Sequence, residues 1–250
     1  MVTGLEKFKE RFSEFEGMYS LIGGVACGLL MDDAGLDFRA TKDFDVVLII
    51  EAIDAEFGKA FWNFISEGGY AIRQKSSGEP EFYRFTNPRD LLYPKEIELF
   101  SRKSNVIPYS DDDRITPIHI SDEISSLSAI LLNDEYYNFL KQGMRKVDDI
   151  QLLNYTHIIP FKAKAWLDLK QRKENGEQVD SKNVLKHKRD VFRLSQLITE
   201  SDKVNLTGEV KKDMQEFIEK MKEDDINLKQ LGINGTKEQI LEMLVKMYSL

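Results

Sequence analysis

Apolar residues at Leu5, Phe8, Phe12 and Phe15 recur at helical spacing and predict an amphipathic helix over 5–16. A short apolar run over 19–22 reads as a strand, and 25–31 reads as a helix entered through Gly23-Gly24. The aliphatic run over 46–50, led by Asp43-Phe44-Asp45, predicts the next strand. Phe57, Ala60, Phe61, Phe64 and Ile65 then mark one face of a helix over 55–67, stopped by Gly68-Gly69. Strands follow over 70–73, 82–85, 97–100 and 115–120, the first two separated by a Ser-Ser-Gly-Glu-Pro turn.

After about residue 121 the period becomes mainly helical. Helices are predicted over 135–142, over 161–175 opened by Pro160, over 181–199 capped by Asp180, over 207–224, and over 237–248 with a Thr236-x-x-Gln239 capping box. The pattern predicts an α+β (mixed α/β) chain. Residues 1–120 are expected to form a domain with a mixed sheet flanked by helices, and residues 121–250 a mainly helical half.

The 250 residues suffice for one large domain or two modest ones. Every apolar run is shorter than the ~20 residues that span a bilayer, and the N-terminus lacks a basic-then-apolar leader; a cytoplasmic protein with no membrane partner is expected. The single cysteine, Cys27, excludes an internal disulfide framework and a cysteine-based zinc cluster. The net charge of −8 argues against a globally basic nucleic-acid binder, yet the window 162–193 carries +5 and the rest of the chain −13. Such a segment suits a polyphosphate or a stretch of RNA, or is simply a solvated helix pair.

Candidate chemistry gathers around residues 22–50. In a strand, positions i and i+2 share a face and lie roughly 7 Å apart, so Asp43 and Asp45 can reach toward shared Mg²⁺ while Phe44 turns into the core. Gly23-Gly24 lets the backbone approach a phosphate and presents N–H groups at a helix start. A two-metal site also calls for a third acid on a neighbouring strand. Glu98 in Glu96-Ile97-Glu98-Leu99-Phe100 is the best candidate, with Glu96 of the same parity second. In the basic window, helical-wheel arithmetic places Lys188 within the apolar arc of Val184, Leu185, Val191, Phe192, Leu194 and Ile198. An inward ammonium must snorkel or find an anion. Lys164 and Asp168 stand one helical turn apart, as an i,i+4 pair does.

Ile22-Gly23-Gly24 followed by Arg39-Ala40-Thr41-Lys42-Asp43-Phe44-Asp45 resembles the signature of the DNA polymerase β-like nucleotidyltransferase superfamily. Its Arg-x-Thr-Lys-Asp-x-Asp form is similar to that of the AbiEii/AbiGii-type nucleotidyltransferases of type IV toxin–antitoxin systems. Lys162-Ala-Lys164-Ala-Trp-Leu-Asp168 and Lys186-His-Lys188-Arg-Asp190-Val-Phe-Arg193 resemble that family's later motifs, and the similarity covers roughly residues 18–198. Glu98 stands where many relatives carry Asp, and Arg193 where an acid is common.

The resemblance implies a nucleotidyltransferase-fold sheet with Mg²⁺ at Asp43, Asp45 and Glu98. It places nucleotide phosphates near Gly23, Gly24 and Thr41 and sets Lys164 and Lys188 toward the triphosphate, with Lys162, Asp168 and Asp190 in support. The expected reaction moves NMP from an NTP to a tRNA or protein hydroxyl and releases pyrophosphate, in a toxin-like role with a cognate antitoxin as possible partner. Two alternatives stand beside it: a small-molecule, antibiotic-type transferase, and a non-catalytic nucleotide-binding or interaction module of the same fold.

Overall fold

A computed structural model describes residues 2–74, 80–102, 115–118 and 127–250, with 72–74, 80–82, 115–118 and 127–131 described by backbone alone. Residues 76–79 of the expected turn and 119–120 of the expected strand lie outside the described residues. The chain divides into two compact units, one of residues 1–33 and 39–153, the other of residues 34–38 and 154–250. Position 121, where the sequence suggested that the helical half begins, lies within the bounds of the first unit.

The first unit is a mixed sheet flanked by helices. Its elements run α1 (Leu5–Phe12), β1 (Tyr19–Ile22), α2 (Gly23–Asp33), β2 (Asp43–Leu48), α3 (Ala55–Gly68), β3 (Ala71–Gln74), β4 (Pro80–Thr86), β5 (Glu96–Ser101), β6 (Ile115–Ile118), β7 (Leu127–Leu131), α4 (Asp134–Gln142), β8 (Met144–Val147) and β9 (Ile150–Leu153). The strand order is β3-β4-β5-β2-β1-β9-β8, and β7, paired with β6, joins the far end of β5. β2 lies parallel to β5 and antiparallel to β1, which places the Asp43-x-Asp45 strand at the centre.

Alternation in β2 and β5 decides which side is the core. Phe44, Val46, Leu48, Ile97 and Leu99 are buried on one face. There they meet the aromatic stripes of α1 and α3: Phe8 lies 5.3 Å from Phe44 and 6.0 Å from Phe64, and Phe12 lies 6.0 Å from Phe61. Asp54 caps α3 by accepting from the Phe57 N–H, and Gly69 ends it in the left-handed region at φ 62°.

The second unit is helical: α5 (Tyr155–Glu174), α6 (Ser181–Leu194) running into a 3₁₀ turn at Ser195–Leu197, α7 (Gly208–Glu223) and α8 (Lys237–Tyr248). Trp166 of α5 sets edge-on against Phe217 of α7 at 5.4 Å. The expected Thr236/Gln239 capping box is present.

Two expectations need correction. The stretch after residue 121, expected to be mainly helical, also holds β7, β8 and β9, which add strands to the first unit's sheet. Pro160 does not open α5; Asn154 caps the helix and Pro160 lies inside it. A proline there cannot donate to the carbonyl four residues back. That carbonyl, of Thr156, instead accepts from the buried Tyr248 hydroxyl at 2.7 Å.

Candidate active site

β1 pairs with β2 so that Ile22 stands opposite Asp45, and the chain turns from Ile22 directly into α2. Gly23 makes that turn at φ 67°, a conformation L side chains rarely adopt. A Cβ at Gly23 would overlap the Asp45 carboxylate, and one at Gly24 would overlap the Thr41 hydroxyl and crowd the Arg39 guanidinium. The two glycines therefore admit three side chains, Asp45, Thr41 and Arg39, to the start of α2. Negative charge is favoured there by the helix's unpaired N–H groups.

The parallel register of β2 and β5 places Asp43 opposite Glu96 and Asp45 opposite Glu98. All four carboxylates fall on the face away from the Phe44 core. Asp43 is exposed, and Asp45, Glu96 and Glu98 are half-buried. Like charges directly opposite on neighbouring strands repel, and burial together with the Glu98 and Asp43 charges raises the pKa of Glu96.

On the next strand, Arg84 of β4 stands opposite Glu98, pairs with its carboxylate, and holds its Nε 3.6 Å from Glu96 Oε1. One row across the sheet thus reads Ile22, Asp45, Glu98, Arg84. Among the described residues no group of three or more His, Cys, Asp or Glu side chains is poised to hold a metal ion. The donor chemistry nonetheless suits Mg²⁺, which takes hard oxygen ligands and commonly uses one or two carboxylates completed by water and substrate phosphates. Asp43 and Asp45 are such a pair.

The second unit holds the other expected site residues, already in ion pairs. Lys188, 5% exposed, does point inward, and its ammonium donates to the Asp224 carboxylate and the Asp225 carbonyl, both at 2.7 Å. Lys162 lies 3.3 Å from the fully buried Asp190, which Arg193 also approaches at 3.5 Å. Lys164 meets Glu209 at 2.9 Å, Asp213 at 3.3 Å and Asp168 at 3.7 Å. Burial alone would lower the Lys164 pKa, but the hydrogen bond to Glu209 and the surrounding carboxylates outweigh it and raise the value. Burial raises the Asp168 pKa, against the pull of Lys164. Lys170 adds a contact to Asp224 at 3.6 Å.

The structure therefore brings together Gly23, Gly24, Thr41 and Asp45, sets Asp43 and Glu98 on the same face, and joins Lys162 to Asp190 and Lys164 to Asp168. Arg39 and Arg84 are the site residues that reading the sequence for acids and lysines passes over. Arg39 opens the Arg-x-Thr-Lys-Asp-x-Asp run. Arg84 carries a visible signal too, a lone cation between the buried Tyr83 and Phe85 in an alternating strand.

No protein-family model matches the chain, and no curated protein matches it. Among solved structures, the chain is similar to the Megavirus polyadenylate synthase at TM-score 0.38 and 10% identity, over 87% of this chain and 36% of the viral one. The chain thus spans little more than a third of that protein's length.

Proposed function

We propose that this chain is a nucleotidyltransferase, moving NMP from an NTP to an acceptor hydroxyl and releasing pyrophosphate. The observation that carries the reading is the acid row of Asp43, Asp45 and Glu98 set beside the glycine turn that receives Thr41 and Arg39. Acids crowded on adjacent strands cost stability unless a cation is to be shared. A helix start opened by glycine suits an anion. The two together describe a phosphate held against a cation.

In this reading the backbone at Gly23-Gly24 receives the NTP phosphates, with the Thr41 hydroxyl and Arg39 guanidinium alongside. Asp43 and Asp45, with Glu98 as a further ligand, would hold Mg²⁺, which would supply charge neutralisation at the transferring phosphoryl group. Glu98 would also take the acceptor's proton as the new O–P bond forms and the α–β phosphoanhydride bond breaks. Positioning and electrostatics dominate such transfers. Lys164 and Lys188 are given no phosphate role here, because acids of their own unit hold both ammonium groups.

The acceptor that fits the motif resemblance is an RNA or protein hydroxyl, in a toxin-like role. Incubation of the purified chain with each α-labelled NTP, Mg²⁺, tRNA and cell extract tests it. Label that enters RNA or protein supports the reading. Label confined to small molecules moves the acceptor class, and no label from any NTP removes the transferase reading.

A further inference from the structure

Glu98 stands between two claims of the same sign. On one side Asp45 lies opposite it across β2 and β5, where a divalent ion is proposed to bind; on the other Arg84 lies opposite it across β4 and β5 and already holds its carboxylate. We propose that Arg84 is a resident counter-cation that competes with the divalent ion for Glu98, setting how tightly this site loads metal. The inference rests on the metal-dependent reading above and concerns a residue that reading leaves without a role.

Three features of the geometry carry it. First, Arg84 reaches both acids of β5, pairing with Glu98 and lying 3.6 Å from Glu96, so a single guanidinium balances the half of the acid row that faces away from β2. Second, Asp43 stands opposite Glu96 and Asp45 opposite Glu98, so the side chains that face one another across β2 and β5 carry charge of one sign. Third, the Glu98 carboxylate is sparsely exposed, at 16% of its side chain, so turning it toward a metal means giving up its ion pair with Arg84. A carboxylate oxygen gripped by a guanidinium is a poorer metal ligand than a free one, because its charge is already shared. The pair also balances the repulsion between the acids of β5 when no metal is bound, which accounts for a cation on the acid face of β4, opposite the side that buries Tyr83 and Phe85.

The test is Mn²⁺ binding to the full chain, read by calorimetry and by the paramagnetic signal of the free ion, without nucleotide turnover. Wild-type binding that disappears in Asp45→Asn establishes the site. Arg84→Gln should then bind Mn²⁺ about tenfold more tightly, the order expected when a unit charge is removed near a divalent ion at a partly solvated site. Arg84→Lys, which keeps the charge on a shorter side chain that cannot reach Glu96 and Glu98 together, should fall between the two and remains informative should Arg84→Gln not fold. In a Glu98→Gln background the gain from Arg84→Gln should shrink to about twofold or less, since the competition runs through that carboxylate. Equal or weaker binding in folded Arg84 variants overturns the competition while leaving the metal site standing. Absence of any Asp45-dependent binding overturns both.

Discussion

Gly23 shows how one residue couples backbone and chemistry. Its positive φ and its contact with the Asp45 carboxylate both require that no Cβ be present. Gly23→Ala is expected to displace Asp45 and abolish Asp45-dependent metal binding, with a stability loss of about 1–3 kcal/mol from the strained backbone; titration with Mn²⁺ beside thermal melting checks both parts. His157 makes a separate prediction. The ring is buried, with Nδ1 3.0 Å from the Thr156 hydroxyl, and burial lowers its pKa to about 4. The unfolded chain therefore takes up the proton first, near the ordinary value of 6.5. The stabilisation is present above that value and is lost as the pH falls toward 4. Between pH 7 and pH 5 the loss is about 2 kcal/mol. Denaturant unfolding at the two pH values should show it, and His157→Gln should flatten the slope.

At the scale of elements, the helices and strands whose apolar period is clean were legible. The Thr236 capping box, the stop at Gly69 and the inward face of α6 all follow from residue type and spacing. The hairpin of β8 and β9 was not legible, because its two-residue turn is Asp148-Asp149, both at positive φ, where glycine or asparagine usually announces such a turn. The start of α5 was misplaced for a similar reason. Proline at the first helical position is the common arrangement, and its tolerance further inside depends on a tyrosine 88 residues later in the chain. Tyr248→Phe should leave the Thr156 carbonyl buried without its donor and cost about 1–3 kcal/mol. In a Pro160→Ala background the alanine N–H can serve that carbonyl, so the same substitution should cost clearly less. Equal costs in the two backgrounds, measured by chemical denaturation, would mean that the hydroxyl does not answer for the proline.

For the molecule as a whole, the charge pattern along the chain and the charge pattern in space differ. The +5 window over 162–193 suggests a polyanion site when read alone. Folded, Lys164, Lys170 and Lys188 of that window meet Glu209, Asp213 and Asp224, acids that lie outside the window in sequence and beside it in space. Spacing along the chain cannot reveal partners 36 to 54 residues away, whereas the acid row could be anticipated because parity alone sets the faces of β2 and β5. RNA binding by this chain should accordingly be weak and show a shallow salt dependence, below two phosphate contacts' worth in slope; a steep slope by filter binding or anisotropy would contradict the pairing.

The central claim is that the acid row beside Gly23-Gly24 performs metal-dependent nucleotidyl transfer. Its most direct test is pyrophosphate release from each NTP in Mg²⁺, comparing the wild-type chain with Asp45→Asn of matched fold by circular dichroism. The account predicts release by the wild type and a fall of at least a hundredfold in the variant. Undiminished release in Asp45→Asn, or none from the folded wild type with RNA and cell extract present, would contradict it.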